Sequence, residues 1–198
     1  MSALTELYRE IANCQDCALA RGRTKVVPGE GPEDAELLFI GEAPGWYEDQ
    51  QGRPFVGSAG EYLDQLLASV GLSRKQVYIA NVVKCRPPDN REPLSGEIEA
   101  CRRWLDRQIE IIQPKVIVTL GRYSLARYFP KESVGKIHGK ARKIDGVIYY
   151  PMYHPAAALH QGSLRETIEA DMLQIPRLLT QSEKIAEAAV ESQQLSLF

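Results

Sequence analysis

No apolar run in this chain of 198 residues reaches the roughly 18 that a membrane-spanning helix needs. The stretch Met1–Arg9 has no apolar core of the signal-peptide kind, so a cytoplasmic protein without a membrane partner is expected. Charge of one sign is lacking too. The 24 Lys and Arg stand against 26 Asp and Glu, and the net −2 excludes a strongly basic nucleic-acid coat protein while leaving room for an enzyme that touches a few phosphates. The excess sits in Gln181–Phe198, which holds three Glu and one Lys, so the body before it is formally neutral. Twelve Pro and 15 Gly are ordinary usage, which excludes collagen-like and disordered classes. The phosphate-cradling loop that ends in Lys-Ser/Thr is missing as well.

Cysteine is scarce, and the four present are informative. Cys14 and Cys17 form a C-x-x-C pair, while Cys85 and Cys101 stand far downstream with 15 residues between them. A chain with no export signal does not favour disulfides. A redox C-x-x-C follows a strand and opens a helix, whereas Cys14 ends a helical pattern of Leu4, Leu7, Tyr8 and Ile11. Zinc sites join two tight knuckles, and the second pair is too wide for one. An iron–sulfur cluster on Cys14, Cys17, Cys85 and Cys101 suits the spacing better than two buried thiols beside a chance pair.

Apolar patterning alternates in kind. Glu36–Gly41, Val77–Val82, Lys115–Leu120 and Val147–Met152 read as buried strands, and Ala59–Val70, Ser95–Ile112, Arg122–Tyr128 and Leu164–Leu179 as helices, the last kinked or ended by Pro176. Gly71 is placed to close the first of these helices. The pattern predicts one α/β domain over residues 1–180, a three-layer αβα sandwich on a central, mainly parallel four-stranded sheet, with a flexible polar tail over 181–198. The loop Gly41–Gly45, Asn81 and His154 then fall at three strand ends, where open parallel sheets bind ligands.

Those three positions carry the chemistry. Phe55 is a lone aromatic in the Gly-rich loop of residues 41–60, either a core plug or a stacking platform for a planar base. The Asn81 amide either caps a turn or offers the donor and acceptor that a pyrimidine edge demands. His154 is either a loop histidine or a donor to a developing anion. Leu159, near the tip of the loop HPAAALHQGSLR, has the character of an apolar wedge. Arg127, Lys136, Lys140, Arg142 and Lys143 are candidates for phosphate contacts, or for a solvated basic face.

Together C-x-x-C at 14–17, GEAPGWYEDQQGRPFVGSAG at 41–60, NVVKCRPP at 81–88, Cys101, LGRYSLAR at 120–127 and MYHPAAAL at 152–159 resemble the family 4, iron–sulfur uracil-DNA glycosylases, over residues 14 to about 175. The resemblance implies a uracil-DNA glycosylase-like fold and a [4Fe–4S] cluster, structural and remote from the chemistry, on the four cysteines. It implies a monofunctional repair enzyme, a monomer, that flips uracil from DNA and hydrolyses its glycosidic bond. Gly41, Glu42 and Ala43 would line the pocket, Phe55 would stack on the base, Asn81 would read its amide edge, and His154 would hydrogen-bond O2. Relatives in the wider superfamily carry Asp and Tyr where this chain has Ala43 and Gly45, which leaves either Glu42 or Glu48 to orient the water and Glu48 to exclude a 5-methyl group. No lysine in the pocket motifs suits Schiff-base chemistry, so no strand cleavage is expected. The competing reading is a non-hydrolytic iron–sulfur module that binds uracil-DNA or a nucleotide. At the end of the chain, Gln194–Phe198 (QLSLF) is similar to the peptide by which bacterial repair proteins bind the DNA polymerase sliding clamp, which implies that partner and a bacterial source.

Overall fold

The computed structural model describes residues 2–181, so the clamp-binding-like peptide Gln194–Phe198 lies outside the described residues. Five strands form one sheet: β1 (Leu37–Gly41), β2 (Tyr78–Asn81), β3 (Val116–Leu120), β4 (Arg142–Ile144) and β5 (Val147–Met152). Helices α1 (Ala3–Ala12) and α2 (Leu19–Gly22) precede β1, α3 (Trp46–Gln51) and α4 (Ser58–Ser69) join β1 to β2, and α5 (Ser95–Ile112) joins β2 to β3. Then α6 (Arg122–Ala126) and α7 (Val134–Ile137) lie between β3 and β4, and α8 (Pro155–His160) and α9 (Leu164–Met172) follow β5.

The strand order is β2-β1-β3-β5-β4, parallel except for β4, which runs antiparallel to β5. Helical crossovers produce the parallel order, and each strand they connect is buried on both faces. Along β1, Leu37 and Phe39 face one core with Tyr62, Leu63 and Leu67 of α4 and Ile168 and Met172 of α9. Leu38 and Ile40 face the other, with Leu7 and Ile11 of α1 and Trp104 and Leu105 of α5. The αβα sandwich expected from the patterning is therefore present, with one correction: the sheet has five strands, not four. Arg142-Lys143-Ile144 shows no apolar run, and it becomes a strand because Asp145 (φ 49°) and Gly146 (φ 86°) turn it back onto β5. Two positive-φ residues between paired strands are the signature of a type I′ hairpin.

Helix ends follow local chemistry. Gly71 (φ 74°) closes α4, with its N–H bonded to the Ala68 carbonyl at 3.1 Å and the Leu72 N–H reaching back to the Leu67 carbonyl at 2.9 Å. The single helix expected over Leu164–Leu179 is broken: α9 ends at Met172 and helix resumes over 175–181. The break precedes Pro176, whose ring and missing N–H disrupt a continuous helix. On the outer side of β2, Glu30 and Ile79 exchange N–H···O=C bonds of 2.9 and 2.8 Å. Among the described residues no helix is long and apolar enough to cross a membrane.

Candidate active site

At the carboxyl ends of the strands lies a cavity of about 170 Å³, lined by Ala43, Gly45, Glu48, Phe55, Ala59, Asn81 and His154. Its floor is the neighbouring pair Gly41 and Asn81, the last residues of β1 and β2. A Cβ on Gly41 would collide with the Asn81 Oδ1 and with the Phe55 ring, so only glycine lets the amide and the ring meet there. Asn81 is buried, and its Oδ1 has no hydrogen-bond partner. An orphaned buried acceptor is costly unless something occupies it.

Phe55 takes the left-handed region at φ 53°, a strained backbone for an aromatic residue. Several groups hold it there. Gly60 has no Cβ that would strike the Phe55 carbonyl, and Arg74 donates to that carbonyl and to the Pro54 carbonyl at 2.9 Å. Glu48 completes the clamp: its Oε1 accepts the N–H groups of Val56 (2.9 Å) and Gly57 (3.0 Å), and its Oε2 accepts that of Gly45 (3.1 Å). One carboxylate thus pins both ends of the loop to the start of α3, as an acid at the third helical position does.

Across the cavity, His154 stacks on Phe55 with ring centroids 5.4 Å apart at 26°. Its Nδ1 accepts the Ala156 N–H at 3.1 Å and so caps α8. An Nδ1 that accepts carries no proton, which leaves the proton on Nε2. Burial pushes the His154 pKa down to about 4, against the pull of Glu48, so the ring is neutral at physiological pH.

A second pocket is lined by Cys14, Cys17, Cys85 and Cys101, with Ile11, Leu19, Val83 and Trp104 around them. Three N–H donors point at its sulfurs: Trp104 Nε1 to Cys14 (3.3 Å), Arg23 to Cys85 (3.2 Å) and the Lys84 backbone to Cys101 (3.3 Å). Burial pushes the Cys101 thiol up to about 11. Four thiols in an apolar pocket, with donors aimed at sulfur, fit a polynuclear thiolate-held group. Among the described residues no three His, Cys, Asp or Glu side chains converge on one metal-ion position. Lys84 links the two pockets. Its fully buried Nζ donates to the Asn81 carbonyl (2.8 Å) and to Gln108 (2.6 Å), and Gln108 continues to the Tyr78 hydroxyl (2.8 Å).

Comparison with known proteins identifies the family. Residues 28–174 match the model of the uracil DNA glycosylase superfamily. A type-4 uracil-DNA glycosylase of Sulfurisphaera tokodaii is 49% identical over 188 residues, 90% of this chain and 86% of that protein. Those of Saccharolobus solfataricus (46%, covering 91% and 88%) and Thermotoga maritima (44%, covering 85% and 91%) are also similar. This chain belongs to the type-4 uracil-DNA glycosylases.

Within this type-4 glycosylase the residues singled out in the sequence separate into groups. Ala43, Glu48, Phe55, Asn81 and His154 line one cavity, and Gly41 underlies it. Glu42 is not among the lining residues. Its carboxyl pKa is raised by burial and by Glu92, which places it beside the Glu92–Arg122 pair. Leu159 is exposed, but on helix α8 rather than on the loop expected, because Pro155 sits at the first helical position. Arg127 is mostly buried against Asp106 instead of standing free for phosphate. Sequence reasoning missed Arg74 and Ala59. Arg74 lies 19 residues from the carbonyl it holds and Ala59 has no reactive group, so neither gives a local signal.

Proposed function

We propose that the cavity receives a uracil extruded from DNA and that the enzyme hydrolyses the bond between uracil N1 and the sugar C1′, releasing uracil and leaving an abasic site. The observation that carries this reading is the unpartnered Asn81 Oδ1 at the cavity floor. Uracil offers N3–H to that oxygen and O4 to the Asn81 Nδ2, whereas cytosine presents the opposite pattern. Phe55 supplies the stacking face, and the His154 Nε2–H is the donor for O2. Extrusion costs a few kcal/mol, least at a U·G mismatch. As the C1′–N1 bond breaks, its electron pair leaves with uracil and spreads onto O2, where His154 meets the charge; water adds hydroxyl to C1′, and the proton it gives up neutralises the departing uracil anion. Glu48 lines the cavity with three backbone N–H bonds on its two oxygens, and a carboxylate has about four acceptor positions. The remaining position serves to orient the water, and the same side chain adds bulk against a 5-methyl group. Leu159, exposed on the helix that His154 caps, wedges the base stack. No lysine is among the lining residues, which supports hydrolysis without strand cleavage.

Cys14, Cys17, Cys85 and Cys101 would hold a [4Fe–4S] cluster, which supplies a structural cross-link between the N-terminal segment and the β2–α5 region. The Trp104, Arg23 and Lys84 N–H donors would stabilise the thiolate sulfurs. The enzyme acts as a cytoplasmic monomer and docks on a sliding clamp through Gln194–Phe198, which the apolar side chains Leu195, Leu197 and Phe198 support. Purified protein is to be incubated with U·G, U·A and single-stranded uracil oligonucleotides beside T·G, then treated with alkali. Alkali-labile product from the uracil substrates alone supports the reading; folded, iron-loaded protein that yields none overturns it. Deleting Gln194–Phe198 should abolish clamp binding in a calorimetric titration and leave excision from naked oligonucleotides unchanged.

A further inference from the structure

We propose that Trp46 and Tyr47 form a stacking ledge for the base adjacent to uracil in single-stranded DNA, a proposal that rests on the uracil reading of the cavity. Trp46 is 49% exposed and Tyr47 57% exposed, with ring centroids 5.0 Å apart at 87°. Among the described residues the exposed large apolar side chains are Trp46, Tyr47, Leu94, Ile144, Leu159 and Leu173, and Trp46 and Tyr47 are the two that adjoin in sequence, with their rings in contact. Scattered exposed apolar side chains are ordinary; two adjoining aromatic rings left in water call for an occupant.

Their place in the chain says which occupant. Trp46 begins α3 directly after Gly45, and Glu48 follows Tyr47; both Gly45 and Glu48 line the cavity. Tyr47 also leans on Gly57, where a Cβ would lie 3.4 Å from its ring, and Gly57 is held by Glu48. The ledge is therefore continuous with the rim of the cavity and fixed to it by the same carboxylate. A nucleotide next to the flipped uracil leaves the cavity over this rim. In a duplex that nucleotide is paired and stacked on its own neighbours and gains nothing by leaving them. In a single strand its face is free, and stacking a base on an aromatic side chain is sequence-tolerant.

The test uses Trp46→Ala, Tyr47→Ala and the double variant, with full-length iron-loaded enzyme. The substrates are a single-stranded uracil oligonucleotide, its U·G duplex, and single strands in which the nucleotide on either side of uracil is a tetrahydrofuran abasic analogue. The double variant should raise the single-strand KM by about 5- to 100-fold, with the loss in KM rather than kcat and a duplex KM shifted by less than about twofold. With the wild-type enzyme, removing the flanking base on one side should produce the same rise, and in the double variant that removal should add nothing. An unchanged single-strand KM, equal losses on single strand and duplex, or losses that add across variant and abasic substrate would each overturn the ledge. Failure of the underlying uracil reading is seen separately, as wild-type enzyme that releases uracil from none of these substrates.

Discussion

The base cavity and the cysteine pocket sit at the two ends of Asn81–Cys85, yet they are organised by different means. The cavity is organised by shape. Glu48, Arg74 and two residues without a Cβ, Gly41 and Gly60, hold a strained Phe55 over an amide whose acceptor is free. Its lining comes from one continuous loop with the start of α4 and from Asn81 and His154 at two strand ends, and Arg74 reaches in from the segment before β2. The cysteine pocket is organised by charge. It draws thiols from three separate stretches of chain, surrounds them with apolar side chains, and aims N–H donors at Cys14, Cys85 and Cys101, burial disfavouring ionisation of the last two. The cavity presents one buried acceptor without a partner, whereas the pocket presents four thiols met by three N–H donors. Lys84 touches both, through its Nζ on the Asn81 carbonyl and its backbone N–H on Cys101.

Removing the cavity's polar groups should show the largest effect. Asn81→Ala and His154→Ala are each expected to slow excision about 10²–10³-fold, measured by single-turnover release of uracil, with iron content and melting temperature close to wild type. Equal kinetics in both variants would detach the cavity from the reaction. Cys85→Ala works on the other pocket: bound iron and visible absorbance should be lost, and chemical denaturation should show a loss of several kcal/mol. Zinc found in place of iron in both aerobic and anaerobic preparations would break the contrast between the pockets. Gly41→Ala sharpens it, because the new methyl would strike the Asn81 amide and the Phe55 ring. Overpacking of that kind costs about 1–3 kcal/mol, so kcat/KM should fall about tenfold or more while iron content stays unchanged.

The smallest expected effect is that of pH. Since the pKa of His154 lies near 4 rather than at its ordinary 6.5, the ring stays neutral throughout the neutral range. A pH profile of kcat/KM should show no inflection near 6.5. For stability the sign is that of a depressed histidine: the unfolded chain binds the proton first. The contribution of His154 is therefore complete above about pH 6.5 and is lost as pH falls toward about 4. Melting temperature against pH measures this, and His154→Gln should flatten that limb.

Most of the architecture was legible because apolar runs bounded by glycine and proline mark parallel strands, as in Leu37–Gly41 and Val116–Leu120. β4 escaped because Arg142-Lys143-Ile144 has neither length nor alternation, although Ile144-Asp145-Gly146-Val147 carries a hairpin signal in plain view. In the site, Asn81 and His154 were legible from residue type and strand-end position, and Phe55 as a lone aromatic in a Gly-rich loop. Their support was not. The positive φ of Phe55, the three N–H bonds of Glu48 and the reach of Arg74 are tertiary facts with no periodic trace. His138 shows the same limit: it bonds Asp171 at 2.8 Å across 33 positions of sequence and packs on Tyr153, which nothing local to either residue signals.

The two ends of the sheet have a consequence for how copies of this enzyme coexist. A bare strand edge is a template on which another chain can be laid, and at high concentration such edges seed aggregates. Here one margin is occupied by the Glu30–Ile79 exchange of hydrogen bonds, and the other ends in a three-residue strand that carries Arg142 and Lys143. Among the described residues neither margin offers a long uninterrupted ladder, which disfavours strand-to-strand fusion of copies crowded along the same stretch of damaged DNA.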